Sequence, residues 1–143
     1  MSPKQEKRSN YRHFLEIPTR WMDNDVYQHV NNVNYYSYFD TVVNEYLLRQ
    51  GVLDYEKGDV VGLVVETCCQ YHQSLQFPDI IDAGLRVARI GNSSVRYEVG
   101  LFRQGDEMVA ATGHFIHVYV QRPAMRPTPL PDALRTVLEK ILV

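Results

Sequence analysis

The stretch NNVNYYSYFDTVVNEYLLRQG, residues 31–51, decides the fold. Its apolar positions Tyr35, Phe39, Val42, Val43, Tyr46 and Leu47 recur at helical intervals that no strand shares. Asn31 and Asn32 supply N-cap candidates, and Gly51 suits the left-handed residue that closes a helix. The spacing therefore predicts one long helix. Its core-facing stripe is rich in tyrosine, so several buried hydroxyls need hydrogen-bond partners.

Downstream the signals change to strands over residues 60–74, 80–90, 95–103 and 108–120. Val95, Tyr97, Val99 and Leu101 alternate with Arg96 and Glu98, the period-two pattern of a half-solvated antiparallel strand. Gly91-Asn92 and Gly105-Asp106 suit tight reversals with positive φ, which makes the last three strands a meander. Upstream, residues 13–20 read as a first strand, with Pro18 making it an edge or bulged strand. Residues 1–12 are polar and aperiodic and read as a flexible arm. Beyond Pro123, Pro127, Pro129 and Pro131, the spacing of Leu134, Val137, Leu138 and Ile141 predicts a short terminal helix.

The fold class is α+β: an antiparallel sheet of about five strands on one long helix, forming a single domain over residues 13–143. One helix is too narrow to cover such a sheet. The apolar run 60–65 also reads as buried on both faces, so a second subunit is expected to complete the core or extend the sheet edge.

Composition narrows the function. The 143 residues carry a formal charge of −2, which gives no global basic field to attract nucleic acid. The longest apolar run is far shorter than the roughly 20 residues of a membrane-spanning helix. The chain's two cysteines, Cys68 and Cys69, are adjacent and offer no disulfide framework. The charged start lacks the apolar core of a secretory signal, so the expectation is a cytoplasmic protein.

Chemistry concentrates between the first strand and the helix, where Asp23, Asp25 and His29 meet a helix N-terminus. A carboxylate can act as nucleophile or base, and free N–H groups at a helix tip can hold a developing oxyanion. Asp25 is equally open to capping a turn, and Asn31 to capping the helix. His29 can orient the loop or assist Asp25. No cofactor is expected. No metal is expected either, because the spacing of His114 and His117 points them to opposite faces of a strand.

The string Asp23-Asn24-Asp25-Val26-Tyr27-Gln28-His29-Val30-Asn31-Asn32-Val33-Asn34-Tyr35, followed by an aromatic helix, resembles the hot-dog-fold acyl-CoA thioesterases of the 4-hydroxybenzoyl-CoA thioesterase-like group, in particular the branch reading D-x-x-x-H-V-N-N. The resemblance implies a hot-dog fold assembled as a homodimer or homotetramer, with acyl-CoA or an acyl-carrier-protein thioester as substrate. It implies that Asp25 attacks the thioester or activates water, that the backbone N–H at Asn32 meets the thioester oxygen, and that Ser74 reaches the site from a partner subunit. Asn31, Tyr35 and Phe39 are further candidates for substrate contact, and Arg86, Arg89 and Arg96 for the phosphates of CoA. Two other readings remain open: an enoyl-thioester hydratase or dehydratase on the same fold, and a non-catalytic acyl-thioester-binding module.

Overall fold

The computed structural model describes residues 6–54 and 56–143. The predicted helix is α1, Asn32–Arg49, with the Asn31 side chain capping it and Gly51 at φ +73° just beyond its end. Five strands pair antiparallel: β1 (His13–Pro18), β2 (Val60–Tyr71), β3 (Ile80–Ile90), β4 (Ser94–Arg103) and β5 (Val109–Gln121). Their order across the sheet is β1-β3-β4-β5-β2, with a two-residue β6 (Arg126–Pro127) added to β5. The meander β3-β4-β5 thus forms the centre, while β1 and β2 take the edges. The terminal helix α2 spans Asp132–Glu139.

The core lies between α1 and one face of the sheet. Phe39, Val42 and Val43 are fully buried with Leu85, Val87, Tyr97 and Leu101 from the strands. Phe39 lies so close to β5 that a Cβ on Gly113 would overlap its ring, so the absent side chain there sets the helix-to-sheet distance. The stripe's tyrosines find partners. Tyr46 donates to the Val137 carbonyl (2.5 Å), which ties α1 to α2, and Tyr38 donates to Asp23 (2.8 Å). Tyr97 and Tyr119 share a hydrogen bond of 2.6 Å between β4 and β5.

Two sequence expectations are corrected. Gly105 adopts positive φ but Gly91 does not; its N–H instead closes the turn onto the Ser94 carbonyl (2.7 Å). Residues 1–5 of the expected arm lie outside the described residues, but the rest of it is docked. Arg8 pairs with Asp82 (2.8 Å), and Tyr11 is buried on the sheet face away from α1, filling the space that Gly84 and Gly100 leave open. The run 60–65 lies on edge strand β2, and within one chain Leu63, Val64 and Val65 are 41%, 49% and 61% exposed.

Candidate functional site

The loop from Thr19 to Asn31 is built around a buried carboxylate. Asp23 accepts the Arg20 backbone N–H (2.9 Å), both Arg20 guanidinium N–H groups (3.0 and 2.8 Å) and the Tyr38 hydroxyl (2.8 Å). Its carbonyl takes the Asn31 N–H (2.8 Å) and the Asn34 side chain (3.0 Å). Burial alone would raise this acid's pKa, but the contacts from Arg20 and Tyr38 hold it below the usual carboxylate value. Asp23 is thereby a fully occupied anchor, fastening the loop to the first turn of α1.

Asp25 is placed differently. Its Oδ1 accepts the Tyr27 N–H (2.9 Å), a local turn contact, and its Oδ2 lies 3.5 Å from the Asn31 Nδ2. The loop closes beneath it through Asp25 N–H to His29 carbonyl (2.9 Å) and Gln28 N–H to Asp25 carbonyl (3.0 Å), with Gln28 at φ +65°. One oxygen is held in the loop, while the other has only a long contact and faces a cleft.

The helix tip begins at the next residues. Asn31 Oδ1 accepts the Val33 N–H (3.0 Å), and the Asn31 carbonyl accepts the Asn34 N–H (3.0 Å). Among the described residues no protein group accepts the Asn32 N–H. This donor carries the partial positive charge of the helix N-terminus and is open to a ligand oxygen.

Two clefts flank the tip. Asp25 and Asn31 line the larger, about 970 Å³, together with Trp21, Tyr27 and Phe77. His29, Asn32, Tyr35 and Ser74 line the other, about 450 Å³, together with Tyr71. Six of the sequence candidates, Asp25, His29, Asn31, Asn32, Tyr35 and Ser74, therefore lie around one helix end but on two sides of it. Ser74 lines the cleft of His29 and Asn32 of its own chain, not the one that Asp25 lines. Tyr71 is an additional cleft residue. Its ring packs edge-on to Tyr35 (4.9 Å), and its hydroxyl donates to the Asn32 carbonyl at 3.4 Å. Only its position on the inner face of β2 signals this, and that position depends on register.

Phe39 does not line a cleft. It is fully buried against Phe115, because its place on the helical stripe points it into the sheet. Arg86 and Arg96 are also corrected: both are committed to carboxylates on the sheet's outer face. Arg86 pairs with Glu98 (2.8 Å) and Glu6 (3.1 Å) and lies over the Tyr11 ring, while Arg96 pairs with Glu98 (3.0 Å). Arg89 is exposed. Among the described residues no cluster of three His, Cys, Asp or Glu side chains has the geometry to hold a metal ion, and no helix is long and apolar enough to cross a membrane.

The model of the thioesterase-like superfamily matches residues 19–138, and the chain belongs to that family. Among solved structures, the PA5185 protein from Pseudomonas aeruginosa strain PAO1 is 50% identical, superposes with a TM-score of 0.94 and is aligned over 96% of both chains. Slr0204, a 1,4-dihydroxy-2-naphthoyl-CoA thioesterase from Synechocystis, shares the fold at 15% identity and a TM-score of 0.81, over 87% of this chain and 93% of its own. The gentisyl-coenzyme A thioesterase BH1999 does so at 23% identity and 0.78, over 88% and 99%. No curated protein matches the chain. The α+β architecture is therefore a hot-dog fold, an antiparallel sheet curled on one long helix.

Proposed function

We infer that the protein hydrolyses acyl thioesters, of CoA or of acyl-carrier protein, to a free acid and a thiol. The observation that carries this reading is the Asn31 side chain, which contacts Asp25 through its amide nitrogen and caps α1 through its oxygen. It sets a carboxylate beside a helix tip whose Asn32 N–H is open. A thioester lying across the tip would direct its carbonyl oxygen to that N–H and its carbonyl carbon towards Asp25.

Two routes give the same products. In one, an Asp25 oxygen bonds to the carbonyl carbon and the C–S bond breaks, leaving an acyl-aspartyl anhydride that water then hydrolyses. In the other, Asp25 takes a proton from water as the water oxygen attacks the carbon, and the same C–S bond breaks. The thiolate is protonated from solvent in both. His29 and Ser74, on the far side of the tip, are candidates to meet the rest of the thioester. Of Arg86, Arg89 and Arg96, Arg89 is the candidate for a CoA phosphate, since the other two are paired with carboxylates.

The assembly belongs to the same proposal. The exposed apolar residues of edge strand β2 fit a second copy that extends the sheet, giving a homodimer or a homotetramer, and the expected compartment is the cytoplasm. Asp25→Asn keeps the side chain's shape and removes its charge. Release of free thiol from a panel of acyl-CoA substrates should fall about a hundredfold or more. An unchanged rate removes Asp25 from the mechanism, and turnover that consumes an enoyl thioester without releasing thiol replaces hydrolysis with hydration.

A further inference from the structure

The loop that carries Asp25 also presents an unusual amount of apolar surface to solvent. Trp21, Met22, Val26 and Tyr27 are 76%, 73%, 90% and 78% exposed, and Phe77 from the loop after β2 joins them across the cleft. A contiguous exposed apolar patch of this kind marks a binding surface.

This surface is rigidly built. The Val30 N–H donates to the Leu75 carbonyl (2.8 Å), Thr19 Oγ1 to the Asp79 carbonyl (2.6 Å), and the Phe77 N–H to the Asn24 side chain (3.0 Å). Asp79 in turn accepts the Gln76 N–H (3.0 Å) and pairs with Arg103 (3.1 Å). Two loops are thus locked into one unit, which sets Trp21 and Phe77 edge to face with their centroids 5.8 Å apart. An aromatic surface held in place by backbone bonds pays little entropy when a ligand covers it.

We propose that the Trp21–Phe77 pair is the wall against which the acyl part of the thioester packs, and that it selects large apolar acyl groups over acetyl. The occupant follows from the cleft itself, because Asp25 opens into the same space: whatever covers the two rings lies beside the carboxylate. An acetyl group offers one methyl and gains almost nothing from the wall, whereas an octanoyl chain or a phenylacetyl ring covers both rings. The inference rests on the thioesterase reading for its substrate, and its binding half can be measured without turnover.

Trp21 is the chain's one tryptophan, so intrinsic fluorescence reports on the wall directly. Titration with non-hydrolysable octyl and phenylethyl thioethers of CoA should shift and saturate the emission, whereas CoA alone should leave it unchanged. Trp21→Ala and Phe77→Ala should each lower kcat/KM for octanoyl-CoA or phenylacetyl-CoA at least tenfold more than for acetyl-CoA. Trp21→Phe should recover most of the loss. Equal losses on acetyl and on large acyl groups overturn the wall, as does emission that follows protein concentration and ignores the thioethers, which would mean that a second copy covers Trp21. Thioether binding in a protein that turns over no thioester keeps the wall and removes the enzymatic reading. Turnover without fluorescence change or acyl selectivity does the reverse.

Discussion

The Nδ2 of Asn31 lies 3.5 Å from the Oδ2 of Asp25, while the Oδ1 of the same side chain accepts the Val33 N–H at 3.0 Å. One residue therefore caps the helix and touches the Asp25 carboxylate, and under the proposed function its cap and its hold on Asp25 separate by substitution. Asn31→Ala should cost about 1 kcal/mol of stability through the lost cap. Asn31→Ser keeps a capping oxygen but has no amide to reach Asp25. It should melt near wild type and still lose about ten- to hundredfold in kcat, because a misplaced reacting group costs that much. Thermal denaturation and steady-state kinetics on the same preparations check both halves; a serine variant of full activity dismisses the aiming role.

Asp23 and Asp25 are two residues apart and have opposite fates. Asp23 is 1% exposed and spends both oxygens on Arg20 and Tyr38. Asp23→Ala leaves the buried Tyr38 hydroxyl without its acceptor and should destabilise by about 3 kcal/mol, the upper end of the cost of a buried unsatisfied polar group, with the exposed Arg20 returning to solvent. Tyr38→Phe removes a single hydrogen bond to a charged group and should cost about 2 kcal/mol. Chemical denaturation midpoints rank the two. A larger loss for Tyr38→Phe would mean that Asp23 is not the anchor.

The helix-to-sheet distance gives a packing prediction. Gly113→Ala drives a methyl group into the Phe39 ring and the Cys68 carbonyl, so either α1 or β5 must move. Overpacking of this kind costs about 1 to 3 kcal/mol. Phe39→Leu in the Gly113→Ala background should recover part of it, and a double-mutant cycle measures the coupling. Strict additivity would show that the two sites do not share the contact.

The fold was legible because its signals are local. The helical stripe and the alternation along β4 each follow from residues within one element, and the observed strands differ from the expected ones only by a few residues at their ends. The sequence grouped Asp25 to Asn32 as one candidate site because the run is local, and the structure keeps those residues around the tip of α1. What depends on long-range register was not legible. Tyr71 meets Asn32, and Phe77 meets Trp21, only because β2 and the loop after it fold back onto the helix tip. The pairing of Arg86 likewise depends on the register of β3 against β4, which sets Glu98 beside it, and on the docking of Glu6 from 80 positions away.

His117 sets the acid limit of stability above the carboxylate range. It is 6% exposed, enclosed by the rings of Tyr97, Phe115 and Tyr119, and its Nε2 has no hydrogen-bond partner among the described residues. Burial pushes its pKa down to about 4, against a smaller opposing pull from Asp40 on α1. The folded state thus favours the neutral ring. Above the ordinary histidine pKa near 6.5 the ring is neutral folded or unfolded, and no stability is lost. As the pH falls from about 6.5 to about 4, the unfolded chain takes up a proton that the folded chain refuses, and about 3 kcal/mol of stability drains away. Asp23, Glu45 and Glu98, whose pKa values lie below normal, add their own losses only below the ordinary carboxylate range. His117→Phe fills the same apolar site without a titrating group. Urea unfolding of this variant at intervals from pH 7 to pH 4 should give a stability nearly flat down to about pH 4.5, whereas the wild type declines across the window. Parallel curves for the two proteins would place the acid sensitivity elsewhere.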